Sequence, residues 1–432
     1  MDDKTMRSGS AEARDLHSYA DRRAEVDLSI EVVLLLVGGV FFLLFGLLLV
    51  PISAGTLPYS EGAMYGLFVV LVSMQAITMG KTPVGDLRRS WLVVIAGIAT
   101  AIVGTLALFY PGELGGSIRL LAGAIILVTG ALGLVQLVTA EDRARAWIKV
   151  PGVLRHLAVA CAAVYGLEVV LGIITFLPGV VPDSLTAVLS VVLGAALIYL
   201  AWVIYAVAAR YPRGAAGDTG PLNHGVGLLG EAELLVGDSF SVFQGVLLVL
   251  LGGLVLLMTL GAIPPFNADG QLGLLLVLTS LQMLALGQVV GSTVTRSWAL
   301  VVLGLAFAGM GILSCIVPGV LTAVISPLLG VQNIITGVVL LATQVIGPTL
   351  YGIRNPPAEP VVVPPLVKRL FLILAATGVV AFLFGLNMLA PFLLPGLLGV
   401  VAFALFLPFL IVIMGLLTLG TVSVTRRLQR GG

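Results

Sequence analysis

The sequence predicts an all-α fold: a polytopic transmembrane bundle of twelve helices, built as two parallel six-helix repeats of helical hairpins. Three observations predict it. Apolar residues make up 59% of the 432-residue chain and charged residues only 10%, against about 25% charged in soluble proteins. The charges are clustered, so that windows such as 32–60 and 270–294 contain none. A set of glycines, prolines and polar residues also recurs at fixed spacing in the two halves. A mean hydropathy of +1.15 leaves a water-soluble fold with nothing to place at its surface.

Twelve apolar segments follow one another: 29–51, 62–80, 90–110, 115–139, 154–177, 184–209, 241–263, 270–288, 297–317, 321–346, 367–390 and 395–424. A helix rises about 1.5 Å per residue, so about 20 residues cross a hydrocarbon core of roughly 30 Å. Residues 1–28 precede the first segment with seven acids and five Lys or Arg. That stretch is too long and too acidic for the basic start of a signal peptide, and no small-residue cleavage site follows. The first helix is expected to be retained behind a polar cytoplasmic tail. Pro111-Gly112, Pro178-Gly179, Pro264-Pro265 and Pro318-Gly319 read as tight turns joining helices into hairpins. The domain reading is a tail over 1–28, a first repeat over 29–209, a linker over 210–240 and a second repeat with a short basic end over 241–432. The linker holds the Gly-rich run 214–220, with Glu231, Glu233 and Asp238 near its end. Residues 347–366, with Asn355-Pro356-Pro357 and Pro364-Pro365, read as an extended loop too Pro-rich for helix.

Basic residues set the expected orientation. Of the 22 Lys and Arg, all but Arg119 fall in the tail, after an even-numbered segment or at the chain end, whereas Glu61, Glu113, Asp183 and Asp269 mark the opposite loops. This positive-inside pattern places both termini on the cytoplasmic side.

The repeat is read from matched positions. Ser73-Met74-Gln75 corresponds to Ser280-Leu281-Gln282, and Arg89-Ser90-Trp91 to Arg296-Ser297-Trp298. Gly97, Gly104, Pro111, Gly112, Gly123, Thr129 and Gly130 correspond to Gly304, Gly311, Pro318, Gly319, Gly330, Thr336 and Gly337, all at an offset of 207. Gly172 and Pro178 match Gly385 and Pro391 at an offset of 213. Upstream, Gly38-Gly39 is matched to Gly252-Gly253 after a seven-residue shift, which implies a shorter first outer loop in the second half. Six helices per repeat is an even number, so both halves enter the membrane from one side, as duplication and fusion would give. Glycines spaced by seven, Gly97/Gly104, Gly123/Gly130, Gly304/Gly311 and Gly330/Gly337, fall on one stripe of their helices. Such stripes let helix backbones approach closely in lipid.

Candidate chemistry is sparse. Glu168 lies deep in the fifth segment, where an ionisable group is costly and points to function by default. Arg119 is the one basic residue expected on the outer side, and a Glu168–Arg119 pair is the sharper reading. A neutral, hydrogen-bonded Glu168 is the plainer one. Gln75 and Gln282 are matched polar residues that read first as helix-to-helix links, as do Gln332, Asn333 and Asn387. Trp91, Trp147 and Trp298 read as interfacial belt residues. Cys161 and Cys315 sit in apolar stretches without matching positions and read as packed thiols. His17, His156 and His224 lack metal spacing, and no nucleotide loop, dinucleotide fingerprint, nucleophile elbow or zinc-protease motif occurs. No metal, cofactor or catalytic residue is expected, and a net charge of +1 offers no field for nucleic acid. The expected partners are the lipid bilayer, a second copy of the chain and other membrane proteins.

The pattern Ser90-Trp91, Gly97, Gly104, Pro111, Gly123, Gly130, repeated as Ser297-Trp298, Gly304, Gly311, Pro318, Gly330, Gly337, resembles the HdeD-like family of six-helix membrane proteins. The resemblance is best in the central hairpin of each half and weakens in helices 6 and 12. It implies a non-enzymatic, multi-pass protein of a prokaryotic plasma membrane, associated with acid or membrane stress, and supplies no catalytic residues. The present chain departs by its double length. Two other readings stand beside it: a secondary transporter of a small solute or proton with its path between the halves, and a membrane scaffold or complex subunit served by the Pro-rich and acidic loops.

Overall fold

The computed structural model describes residues 28–78, 81–82, 85–86, 91–139, 152–210, 236–266, 268–285, 298–355, 363–390 and 400–431. Expectations that fall on the tail 1–27, on the bulk of the linker, and on Trp147, His17, His224 and Pro391 lie outside them.

The fold is all-helical. In chain order the helices are α1 Ile30–Ser53, α2 Glu61–Thr78, α3 Trp91–Phe109, α4 Pro111–Thr139, α5 Val153–Phe176, α6 Asp183–Arg210, α7 Val236–Thr259, α8 Ala268–Leu284, α9 Trp298–Ile316, α10 Thr322–Leu341, α11 Pro365–Leu389 and α12 Val400–Gly431. Between α2 and α3 a two-residue antiparallel pair forms, with Lys81 opposite Asp86 and Thr82 opposite Gly85. Eleven of the helices are long and apolar enough to cross a membrane, and α8 is a shorter apolar helix of 17 residues.

Local chemistry sets the ends. Ser29 caps α1 by accepting the Val32 amide at 3.4 Å. At its other end Gly55 takes φ +72°, and the Thr56 amide returns to the Pro51 carbonyl at 3.0 Å. The end of α7 is built the same way: Gly261 takes φ +70°, and the Ala262 amide reaches the Leu257 carbonyl at 2.9 Å. Hydroxyls inside helices bond back one turn, as Ser73 to Val69 (2.6 Å) and Thr105 to Ala101 (2.8 Å), so they place no unmet donor in an apolar interior.

Two segments depart from expectation. Residues 347–354 are helical: α10 runs through a π-helical turn, Ala342–Ile346, into a further two turns of helix, Gly347–Arg354. Pro348 directly follows the π-helical turn, and a π-turn and a proline are both places where a helix leaves its regular hydrogen-bond ladder without ending. Helix α7 begins at Val236, inside the expected linker, and its first turn holds Asp238.

The helices pair by their glycine faces, not by the shortest turns. The most extensive packing joins α2 with α3, α4 with α5 and α1 with α6, and likewise α8 with α9, α10 with α11 and α7 with α12. Helices joined by a Pro-Gly turn, such as α3 and α4, touch far less. Helical hairpins are therefore present as α2–α3, α4–α5, α8–α9 and α10–α11, closed by the longer connections, and the reason is steric. A Cβ on Gly66 would stand 2.6 Å from the Gly104 carbonyl oxygen, and one on Gly104 would stand 2.8 Å from that of Gly66. Gly273 and Gly311 meet reciprocally at 2.7 Å each way. Gly39 and Gly194 do the same between α1 and α6, and Gly415 approaches Gly245 between α7 and α12.

These contacts correct one register. Gly39 has the surroundings of Gly245, and Gly46, against α6, those of Gly252, against α12. The matching offset in the first helix of each half is therefore 206, not the shifted match to Gly252-Gly253. The connections that follow these helices, residues 54–60 in one half and 260–267 in the other, differ by a single residue. The two matches differ by eight residues, from an offset of 214 to one of 206, and both pair a glycine with a glycine at Gly39, so the sequence alone does not separate them.

The two halves meet through α1, α2 and α3 on one side and α7, α8 and α9 on the other. Phe109 stacks on Phe266 at 4.6 Å, and the Tyr110 hydroxyl donates to the Pro264 carbonyl at 3.2 Å. The Ser60 amide donates to the Ile316 carbonyl at 3.1 Å, and Gly270 at the head of α8 sits against Leu108 at the foot of α3. The outward faces are apolar too: Leu47, Val128, Val138, Ile335 and Leu372 are each more than half exposed.

Candidate functional site

The predicted Glu168–Arg119 pair does not form. Arg119 donates from Nη1 to Glu61 Oε1 at 3.2 Å, across the heads of α4 and α2. The reason is depth. Gly130 on α4 is level with Glu168: a Cβ there would lie 2.8 Å from the Glu168 Cβ. Gly130 is eleven residues, roughly 16 Å, below Arg119 along the helix. No arginine side chain spans that gap.

Glu168 instead lines a cavity of about 210 Å³ inside the first half. The walls come from α1, α2, α4, α5 and α6. Gln75 on α2, and Thr129 and Gln136 on α4, bring polar groups to it, and Leu34, Leu71, Ile126, Val164 and Leu197 are among its apolar lining. Phe41, Phe42 and Phe68 also line it, as a cluster with ring centroids 5.3 to 5.7 Å apart. Glu168 Oε2 is buried without a hydrogen-bond partner. Leaving such a group unmatched costs about 1–3 kcal/mol, more when it is charged.

Two glycines on α4 bring it close to α5 beside this cavity. Gly133 faces the Tyr165 ring, at 2.5 Å from where its Cβ would be, and Gly130 faces the backbone at Tyr165 and Val169 at 2.9 Å. At the same offsets the second half has Leu340 for Gly133, Gly378 for Tyr165 and Ala381 for Glu168. There a Cβ on Gly378 would meet the Leu341 side chain at 2.7 Å, so the bulk has moved from α11 to α10.

The matched glutamines differ in the same sense. Gln75 borders the cavity, whereas Gln282 accepts a hydrogen bond from Gln244 Nε2 at 3.1 Å, linking α7 to α8. Gln244, Gln136 and Thr129 were not singled out from sequence as site residues. A lone amide or hydroxyl in an apolar helix carries no sign of the direction it faces, though Gln136 and Gln244 share the polarity that marked Gln75.

The other candidates are structural in their surroundings. A Cβ on Gly97 would stand 2.6 Å from the Ile77 side chain, one on Gly123 3.0 Å from Thr175 and one on Gly304 2.8 Å from Leu284. A Cβ on Gly330 would lie 3.1 Å from the Gly385 carbonyl oxygen, and one on Gly337 2.6 Å from that of Gly378. Asn333 donates to the Leu329 carbonyl at 2.9 Å; Gln332 Oε1 and Asn387 Oδ1 are buried without a partner. Cys161 and Cys315 are free and buried. His156 Nδ1 lies 2.8 Å from the Tyr199 hydroxyl. Among the described residues no group of His, Cys, Asp and Glu is placed to hold a metal ion.

Polar ties close the bundle ends. Asp269 accepts from the Gly319 amide at 3.1 Å and from the Thr322 hydroxyl, where the first half uses Glu61 and Arg119. At the other end Arg426 Nε donates to Asp238 Oδ2 at 3.2 Å, joining the last turns of α12 to the first of α7. Trp298 is exposed and lies edge-on to Tyr205 at 6.4 Å, and Trp91 is exposed.

A bundle of long apolar helices, apolar outside as well as inside, with its ion pairs at the helix ends, is a multi-pass α-helical membrane protein. Comparison with protein-family models, with curated proteins and with solved structures returns no match.

Proposed function

We propose that the protein is a non-enzymatic tandem duplicate of a six-helix unit, and that its first unit binds a small solute or proton at mid-membrane, as a secondary transporter does. The observation that carries this reading is the cavity at Glu168, with its unpartnered carboxyl oxygen and two nearby carboxamides. An ionisable group at that depth is costly and marks a path or a binding site by default. The lining of this cavity comes from α1, α2, α4, α5 and α6, all in the first half, which supports a site within one unit.

Several contacts support the duplication and its parallel sense. Equivalent helices pair alike in each half, and Gly66/Gly104 and Gly273/Gly311 make the same approach. Gly130 faces Val169 and Gly337 faces Phe382, a correspondence kept to the residue. The packing of Gly270 on Leu108 and of Trp298 on Tyr205 is what two units entering from one side would make. Together with the basic-residue pattern this supports both chain ends lying in the cytoplasm of a prokaryotic cell.

A second reading is the stress-related role implied by the resemblance to HdeD-like proteins. The glycine-packed second unit, with Ala381 where Glu168 stands, favours a support function for that half.

Liposomes holding the purified chain and an internal pH-sensitive dye test the first reading. The wild type is expected to relax an imposed pH gradient faster than empty liposomes, and Glu168→Gln is expected to remove the difference. Equal rates for the two proteins overturn the transport reading. Survival of acid challenge by cells with and without the chain then measures the second.

A further inference from the structure

Resting on the reading of the Glu168 cavity as a binding site, we infer that its ligand is a small lipophilic amine in its protonated form: one cationic nitrogen on a compact apolar body. The lining chemistry selects that class. Most of the wall is aliphatic or aromatic, which calls for an apolar body. The one carboxylate in the wall, Glu168, has an oxygen buried without a partner, which calls for a cation or donor. Tyr165 is the other titratable group lining it, and no Lys, Arg or His does so. Gln75 and Gln136 supply carbonyl oxygens for the remaining N–H donors of an ammonium group. Phe41, Phe42 and Phe68 add ring faces, which attract a cation held over them.

Other ligand classes fit worse. An organic acid would bring a second negative charge to Glu168 in an apolar surrounding. A hard metal ion needs six or more oxygen ligands or retained waters, and the wall offers a single carboxylate. A neutral hydrocarbon would leave the Glu168 oxygen unmatched. Size narrows the class further. The 210 Å³ space is below the roughly 300–1,000 Å³ of drug-sized pockets and above the about 150 Å³ of an engineered cavity that admits benzene. A single ring with an aminomethyl arm is of the right order. Thr129 and Leu132 line the cavity and are exposed on α4, so a membrane-dissolved amine has a lateral way in.

The test uses the full chain in lipid nanodiscs, with empty nanodiscs subtracted, and three probes of one shape: benzylammonium, benzyl alcohol and benzoate. Wild type is expected to bind benzylammonium about tenfold more tightly than benzyl alcohol, a difference of about 1.4 kcal/mol, and benzoate not at all. Glu168→Gln is expected to erase the preference for the cation while keeping benzyl alcohol binding, which shows that the site still exists. Ala76→Phe, which fills the space from α2, is expected to abolish both. Equal affinity for the cation and the alcohol in wild type, or a cation preference that survives Glu168→Gln, overturns the inference. Proton movement in liposomes that depends on Glu168 without amine binding leaves the transport reading standing and removes this one; amine binding without proton movement does the reverse.

Discussion

At the scale of single residues, the protein separates groups that are matched from groups that are not. Most helical hydroxyls return to their own helix, and Gln282 is matched by Gln244. Glu168 keeps an oxygen without a partner. Glu168→Leu, which exchanges that unmatched group for an apolar one of similar size, is expected to raise stability by about 1–3 kcal/mol, read as a higher thermal midpoint in detergent. A lower midpoint would mean that the carboxyl has a stabilising partner. The glycines divide in the same way. A side chain on Gly311 would press the Gly273 carbonyl at 2.7 Å, whereas one on Gly38 or Gly166 would meet nothing within 4 Å. Gly311→Val is expected to abolish the folded peak in size-exclusion chromatography. Gly166→Ala, in the middle of a helix, is expected to stabilise by about 0.5–1 kcal/mol.

Between helices, polar ties of unequal depth hold the ends. The Glu61–Arg119 pair is exposed, with side chains 41% and 26% accessible, and contributes at most about 1 kcal/mol. Asp238, only 4% accessible, faces Arg426. Asp238→Asn leaves a partly buried guanidinium short of its partner and is expected to cost roughly 3 kcal/mol, against at most about 1 kcal/mol for Glu61→Gln. Comparable unfolding midpoints for the two variants would contradict this ranking. Gln244→Ala is expected to cost about 0.6–1.7 kcal/mol by removing the link from α7 to α8. Which helices would be tied together was only partly legible. Apolar length and Pro-Gly turns announced the helices, because crossing lipid demands both. Pairing of α1 with α6 was not announced: it depends on which way Gly39 and Gly194 rotate, and a periodic small-residue stripe reports spacing without a partner. For the same reason Arg119 looked able to reach Glu168, since a position along the helix says nothing of a neighbour's level until Gly130 is found beside it.

For the whole molecule, the two halves share their pairing pattern and differ in the residues around Glu168. The first surrounds a cavity; in the second, Leu340, Gly378 and Ala381 stand where Gly133, Tyr165 and Glu168 stand in the first. The sequence carried that difference as an unmatched glutamate, but not the void around it, which arises from five helices failing to meet. The proposed duplication requires two six-helix units that enter the bilayer from one side. Single cysteines at Thr56 and Ala262, in the matching turns after α1 and α7, test this most directly when labelled in intact cells with a membrane-impermeant maleimide; cysteines replacing Trp91 and Trp298 serve as the opposite pair. The account predicts that Thr56→Cys and Ala262→Cys react from outside, and that the two tryptophan positions react only after the cells are opened. Labelling of Thr56→Cys and Ala262→Cys from opposite sides would contradict it.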